Sequence, residues 1–310
     1  AQRSIQIQAF IWKNDESGRL MIYELVEAAR RGVRVRVIAD HMVSDQDPAI
    51  GAFLSTASPN LEGRHYRPIM AQLKPSFPEK LVSMIMGFRR VNQRMHNKLM
   101  VVDGQVMLTG GRNIENTYFN HSTSMNFRDR DVLAVGPVAR EAEVSFEEYW
   151  NFRHTIPSAK LKDVAAVIEK GKYPRYESRD DYDFGGYFTE LTDAAGDDEL
   201  MRSRFWDQLR SVDCVEFIVD KPGKGSGFFS KDSRTTKEMM KRIGVAQREV
   251  LVQSPYLILS RTARRVIRKL EKNRPELEIR VSTNSYASTD NIMAYSAKYA
   301  SAFYGPFRDA

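Results

Sequence analysis

The chain has 310 residues, 42% of them hydrophobic and 28% charged, enough for one large domain or two packed halves with separate cores. A lone cysteine, Cys214, excludes an intrachain disulfide and a cysteine metal cluster, and no run of 18 apolar residues is present to form a membrane-spanning helix. The net charge of +7 points to anionic partners without choosing among phosphate, lipid surface and nucleic acid.

The chain opens without a methionine and directly in a strand-like pattern, which reads as a cut N-terminus. Residues 5–11 alternate with period two, as a strand does. Ser17-Gly18 precedes a helical stretch with Leu20, Tyr23, Val26 and Ala29 at three-to-four-residue spacing. Gly32 sits at its C-cap, and residues 33–39 form the next strand, ending at Asp40. Strand, helix and strand at this length predict a parallel pair with a right-handed crossover.

This unit returns. Arg3 to Gln8 is echoed by Arg248 to Gln253 at an offset of 245, and Arg34 to Asp40 by Glu278 to Asn284 at an offset of 244. A helical segment lies between the strands in each copy, which predicts a duplicated α/β unit. The polar, glycine-containing stretch at 156–198 is the expected linker. It separates a first half at 1–155 from the start of a second at 199–310. Asp180, Asp181 and Asp183 lack calcium-loop spacing and read as a solvated loop. The basic, glycine-rich residues 221–227 lack phosphate-loop spacing, and either a loop near a substrate mouth or an ordinary surface loop fits them. Leu81, Met84, Ile85 and Phe88 are amphipathic, suiting a core-facing helix better than a lipid contact.

Residues 95–113 carry the chemistry. Residues 95–102 read as a strand, Asp103-Gly104 as a tight turn and residues 106–109 as the returning strand. His96 and Lys98, two apart, then project from one face. Gly110-Gly111 follow, where bare backbone N–H groups approach an anion, and Asn113 adds an amide. An imidazole, an ammonium and an amide on one hairpin suit a phosphate oxyanion, with the imidazole placed to attack phosphorus. Six fixed positions at ordinary usage give on the order of 10⁻⁵ chance matches in a chain this long.

The run His96-x-Lys98-x4-Asp103-x6-Gly110-Gly111-x-Asn113 resembles the HKD signature of the phospholipase D superfamily. Tyr118-Phe119, residues 127–131, Val135-Gly-Pro137, residues 146–150 and Ser254-Pro-Tyr256 resemble its bacterial cardiolipin synthase-like branch. The resemblance implies a duplicated α-β-α sandwich with mixed, largely parallel central sheets, its second half incomplete. It implies that His96, Lys98 and Asp103 are catalytic, with Asp103 supporting the motif, and that Gly111 and Asn113 bind substrate phosphate. Asp129 would orient the histidine of the other half. No metal or cofactor is expected. The implied activity is phosphatidyl transfer of cardiolipin synthase type through a phosphohistidine. A phospholipase D or nuclease-type hydrolase and an inactive phosphate-binding scaffold are the alternatives.

Phospholipid and a membrane surface are the expected partners, ahead of nucleic acid, and no obligate protein partner is evident. Peripheral placement at a bacterial inner membrane, or a cytoplasmic one, is implied. The family uses two such motifs. A second would fall near position 340, beyond Ala310, so either the chain is truncated, which is the favoured expectation, or it is a natural one-motif protein.

Overall fold

The computed structural model describes residues 1–79, 94–223, 234–257, 259 and 261–285. Residues 81–88 and the tail from 286 lie outside that set, as does the 221–227 loop beyond Gly223. Two compact units are distinguished: Ala1–Phe217 with the described residues 221–223 forms the first, and the second takes Ile218–Asp220 and the described residues from Arg234 onward.

The first unit is built on β1 (Ser4–Ala9), α1 (Glu16–Arg30) and β2 (Arg34–Asp40), with β1 and β2 parallel, Ser4 opposite Arg34. Asp15 starts α1 by accepting the Gly18 amide at 3.0 Å, so the helix begins ahead of the Ser17-Gly18 signal. It ends where Gly32 adopts a φ of 92°, a region open to glycine. Then follow α2 (Pro48–Thr56), β3 (Leu61–Tyr66), β4 (Leu99–Val102), β5 (Val106–Gly110), β6 (Asp131–Val135), α3 (Val138–Trp150) and β7 (Thr155–Pro157). The sheet order is β6-β5-β4-β1-β2-β3-β7, with β1 central.

The sheet is mixed, as expected, but not largely parallel. Of its strand pairs, β1–β2 and β2–β3 run parallel, each joined directly by a helical crossover. β4 is antiparallel to β1 and hairpins directly into β5, β6 continues antiparallel, and β7 returns antiparallel to β3.

Helices cover both faces. Ile7, Ala9 and Val35 are buried with Ile22, Leu25, Val26 and Ala29 of α1. Beneath α3, Leu99, Val101 and Met107 pack with Val138, Ala139 and Ala142, and Ile38, Tyr66 and Met95 with Phe146, Tyr149 and Trp150. Alternation along β1 sends Gln6 and Gln8 to this second face, each 1% exposed. There Gln6 Nε2 reaches carboxylates of Glu143 and Glu147 at 3.4 Å. Arg36 pairs with Glu147 and lies 5.1 Å and 5.2 Å from the Phe146 and Trp150 rings.

Residues 156–198 are not a linker. They form α4 (Lys162–Lys170) and α5 (Tyr187–Gly196), and Leu161 and Val164 pack with Ala52 and Leu73. Tyr182, Phe184 and Phe188 are buried, with ring centroids 5.4–5.7 Å from Tyr23 on α1. Three aromatics set among polar residues give this stretch its own core contact, so the first unit extends well past residue 155. Within it, Asp181 accepts the Glu177 and Ser178 amides at 2.8 Å, a local capping role.

In the second unit, α6 (Arg234–Gly244) precedes β8 (Glu249–Gln253), α7 (Arg261–Asn273) and β9 (Glu278–Ser282). β8 and β9 are parallel with Glu249 opposite Glu278. These are the positions that the offsets of 245 and 244 assign to Ser4 and Arg34.

One buried group makes the first unit acid-sensitive. Burial, assisted by the facing His41, pushes the His65 imidazole down to about 3, with Asp163 opposing. Unfolding releases it to about 6.5. Its stabilising effect is therefore complete above pH ~6.5 and is lost as pH falls toward ~3, by up to about 1.4 kcal/mol per pH unit. His65→Gln should flatten this limb in urea unfolding midpoints measured from neutral to mildly acidic pH.

Candidate active site

Residues 94–98 are not strand. The ladder between β4 and β1 begins only at Leu99, opposite Gln8. The preceding stretch is tied down by side chains instead. Asp40, 2% exposed at the end of β2, accepts the Met95 amide at 3.0 Å, and Gln8 Oε1 accepts Asn97 Nδ2 at 3.1 Å. Burial raises the Asp40 carboxyl above its usual range, while the Met95 and Met42 amides and Arg94 favour its charged form.

His96 and Lys98 still meet. The Lys98 Nζ lies 3.2 Å from His96 Nδ1, 3.3 Å from Nε2 and 3.3 Å from the His96 carbonyl. Both rest on Phe10, just past β1, whose ring centroid is 4.2 Å from the imidazole and 4.9 Å from the ammonium. Thr109 donates to the Lys98 carbonyl at 2.8 Å, fixing the backbone beneath the amine. Burial pushes Lys98 down to about 8, with the Asp129 carboxylate opposing.

Gly110 and Gly111 have a different reason from the one their sequence suggests. A Cβ on Gly110 would collide with Asp131 and the Arg130 carbonyl, and one on Gly111 with the Asp129 carboxylate. The Gly111 amide donates to the Arg130 carbonyl at 3.3 Å. The glycines thus let the 129–131 segment pass close, which brings Asp129 into the electrostatic reach of Lys98. Asn113 is buried and accepts the Ile11 amide at 3.3 Å, joining the loop after β5 to the loop after β1.

Asp103 is elsewhere. It occupies the turn at the far end of β4, about 16 Å from Lys98 at 3.3 Å per residue. Its carboxylate accepts the amides of Gln2, Arg3 and Ser4 at 2.8–2.9 Å. Burial alone would raise its carboxyl, but these three donors together hold it below its usual range. With φ at 54° and Gly104 at 65°, it also forms the hairpin turn. It is placed to fix strand register rather than to touch a substrate.

Lys98 and Asn113 line a cavity of about 500 Å³ whose walls include Met21, Met100, Leu108, Phe119 and Leu133. Four groups that the sequence reading passed over shape the site: Asp40, Gln8, Phe10 and Thr109. Of these, Gln8 alone carried a signal, as a polar residue alternating with apolar ones on a central strand.

Known proteins resemble this chain along nearly all of its length. Residues 1–150 match the family described as cardiolipin synthase, PLD-like domain. Residues 277–310 also match delta-aminolevulinic acid dehydratase, over a short segment that contains β9 and continues outside the described residues. The chain is 30% identical to an uncharacterized protein of Helicobacter pylori strain J99, over 96% of this chain and 57% of that one. It is 29% identical to cardiolipin synthase C of Escherichia coli K12, over 97% of this chain and 61% of the relative. It thus spans about three fifths of the length of these relatives. The fold resembles that of phosphatidylserine synthase from Haemophilus influenzae, with a TM-score of 0.56 at 14% identity, over 97% of this chain and 62% of that one.

Two outcomes separate the roles. Asp103→Ala removes three acceptor contacts and leaves alanine at positive φ, so it should cost about 2–3 kcal/mol in urea unfolding with phosphate affinity unchanged. Loss of phosphate affinity at unaltered stability would instead put Asp103 in the site. Phosphate affinity should fall as pH rises through about 8, where Lys98 loses its proton. Lys98→Arg, charged throughout, should retain binding into the alkaline range in calorimetric titration.

Proposed function

We propose that the chain, whose residues 1–150 match the cardiolipin synthase, PLD-like domain family, is the histidine-bearing part of a phosphatidyltransferase of cardiolipin synthase type. The observation that carries this reading is the His96–Lys98 contact with Lys98 lining a largely apolar cavity, a phosphate site beside an acyl-sized space. In the proposed reaction the His96 imidazole attacks phosphorus, forming a P–N bond as the P–O bond to the leaving alcohol breaks. An acid protonates the departing alkoxide. A second alcohol then attacks the phosphohistidine, its proton returns to that acid, and the imidazole is released. Lys98 and Asn113 hold the nonbridging oxygens as charge builds on them. Asp129 acts in this scheme through electrostatics, either on Lys98 or on the histidine of a second motif.

The same reading treats β8–α7–β9 as the start of a second copy of β1–α1–β2, since both pair in the same register. The leaving-group proton is assigned to a second histidine motif of that copy. Hydrolysis of phospholipid or nucleic acid would use the same first step, with water as acceptor. The apolar cavity favours lipid.

The test compares this chain with a protein of its relatives' length, each mixed with phosphatidylglycerol and followed by lipid analysis and intact mass. The longer protein should transfer phosphatidyl groups with or without EDTA and carry a phosphatidyl adduct that His96→Asn abolishes. The 310-residue chain should turn over slower by the 10²–10⁴-fold typical of a missing general acid. Activity that survives in the His96→Asn protein would overturn the nucleophile assignment, and free phosphatidate as sole product would select the hydrolase.

A further inference from the structure

Residues 234–273 hold eleven Lys and Arg against three Glu, a net of +8, while the whole chain nets +7. The rest of the molecule is therefore close to neutral, and its basic character belongs to α6, α7 and their connection. On α7 the core side is Ala263, Ile267 and Leu270, all buried, with Val266 beside them. At 100° per residue, Arg264, Arg265, Arg268, Lys269 and Lys272 fill one arc on the opposite side, and no acid falls within it. Arg265, Arg268, Lys269 and Lys272 are exposed. On α6, Lys237, Lys241 and Arg242 are exposed as well. Met239, 50% exposed, and Val245, 64% exposed, stand one turn to either side of Arg242.

We propose that the basic face of α6 and α7 is a docking surface for an anionic phospholipid bilayer. Arg264–Arg268, Arg265–Lys269 and Arg268–Lys272 are like-charge pairs four residues apart, an arrangement that weakens a helix in water and is relieved by a sheet of anions. The exposed Met239 and Val245 beside the cations suit the boundary between headgroups and acyl chains. Neither helix contains an aromatic residue, so single-stranded nucleic acid would find no stacking platform. The choice of lipid over other polyanions leans on the phosphatidyltransferase reading, but the binding is independent of the chemistry at His96.

Sedimentation of the 310-residue chain with phosphatidylcholine vesicles, with and without phosphatidylglycerol, tests this. Binding should require the anionic lipid and weaken with salt. R265Q/K269Q/K272Q should reduce it roughly a hundred-fold, at about fivefold per cation near the surface. R265K/R268K should bind like the parent, as should K160Q/K162Q/K170Q, which removes the same charge from exposed positions of the first unit. Circular dichroism verifies that each variant is folded. Equal binding by the two glutamine triples, or none by the parent, overturns the proposal. So does DNA binding that is tighter than vesicle binding and abolished by the α7 triple. His96→Ala should bind vesicles unchanged, so a failed reaction and a failed surface give different results.

Discussion

The antiparallel pairing of β1 with β4, Ile5 opposite Val102 and Gln8 opposite Leu99, sets the position of every group at the site. Because side chains alternate, a slip of one residue would invert β4 and carry Lys98 away from Phe10. Both ends of the pairing are held by carboxylates. Asp103 binds the amides of residues 2–4 where β1 begins, and Asp40 binds the Met95 amide where β2 ends. Strand polarity does the rest. β1, β2 and β5 end at the edge where β4 and β6 begin, so Phe10, Asp40, Lys98, Gly110 and Asp131 come together from five strand termini. This is the edge at which open α/β sheets place ligands.

The electrostatics of the site follow from that convergence. Lys98 is drawn into a partly apolar environment over Phe10, which lowers its proton affinity, while Asp129 holds it up. Asp129 comes near only because Gly110 and Gly111 lack side chains where the 129–131 segment crosses. The two glycines therefore act through the carboxylate they admit. A side chain at Gly111 would displace Asp129 and remove the charge that keeps the ammonium available.

Much of this was legible in the chain itself. Alternation and caps located β1–α1–β2, the Asp103-Gly104 pair located the hairpin, and the His96–Lys98 spacing located a cationic cluster. The stretch at 95–98 read as strand because it runs straight into the apolar residues 99–102, but its hydrogen bonds go to Asp40 and Gln8, which only tertiary pairing brings near. Asp103 read as a turn residue from its Asp-Gly pair and joined the motif only through the resemblance, and its bonds to residues 2–4 come from tertiary pairing that spacing does not record. Residues 156–198 read as a linker because composition averages away Tyr182, Phe184 and Phe188, whose positions matter more than their number.

In-line displacement at phosphorus constrains what the rest of such an enzyme must supply. The attacking nitrogen and the departing oxygen lie on opposite sides of the phosphorus. On the proposed reading, Lys98 shares the nucleophile's side of the reacting centre, since its amine is in contact with the His96 ring. An ammonium there stabilises the equatorial oxygens but is poorly placed to protonate the leaving group. The acid must approach from the far side, beyond the reach of the hairpin that holds the nucleophile. A second sheet edge of the same construction would present such a group with the same precision. β8 and β9 pair in the register that β1 and β2 use. On the proposed reading, a duplicated β-α-β unit would answer that geometric requirement of the chemistry.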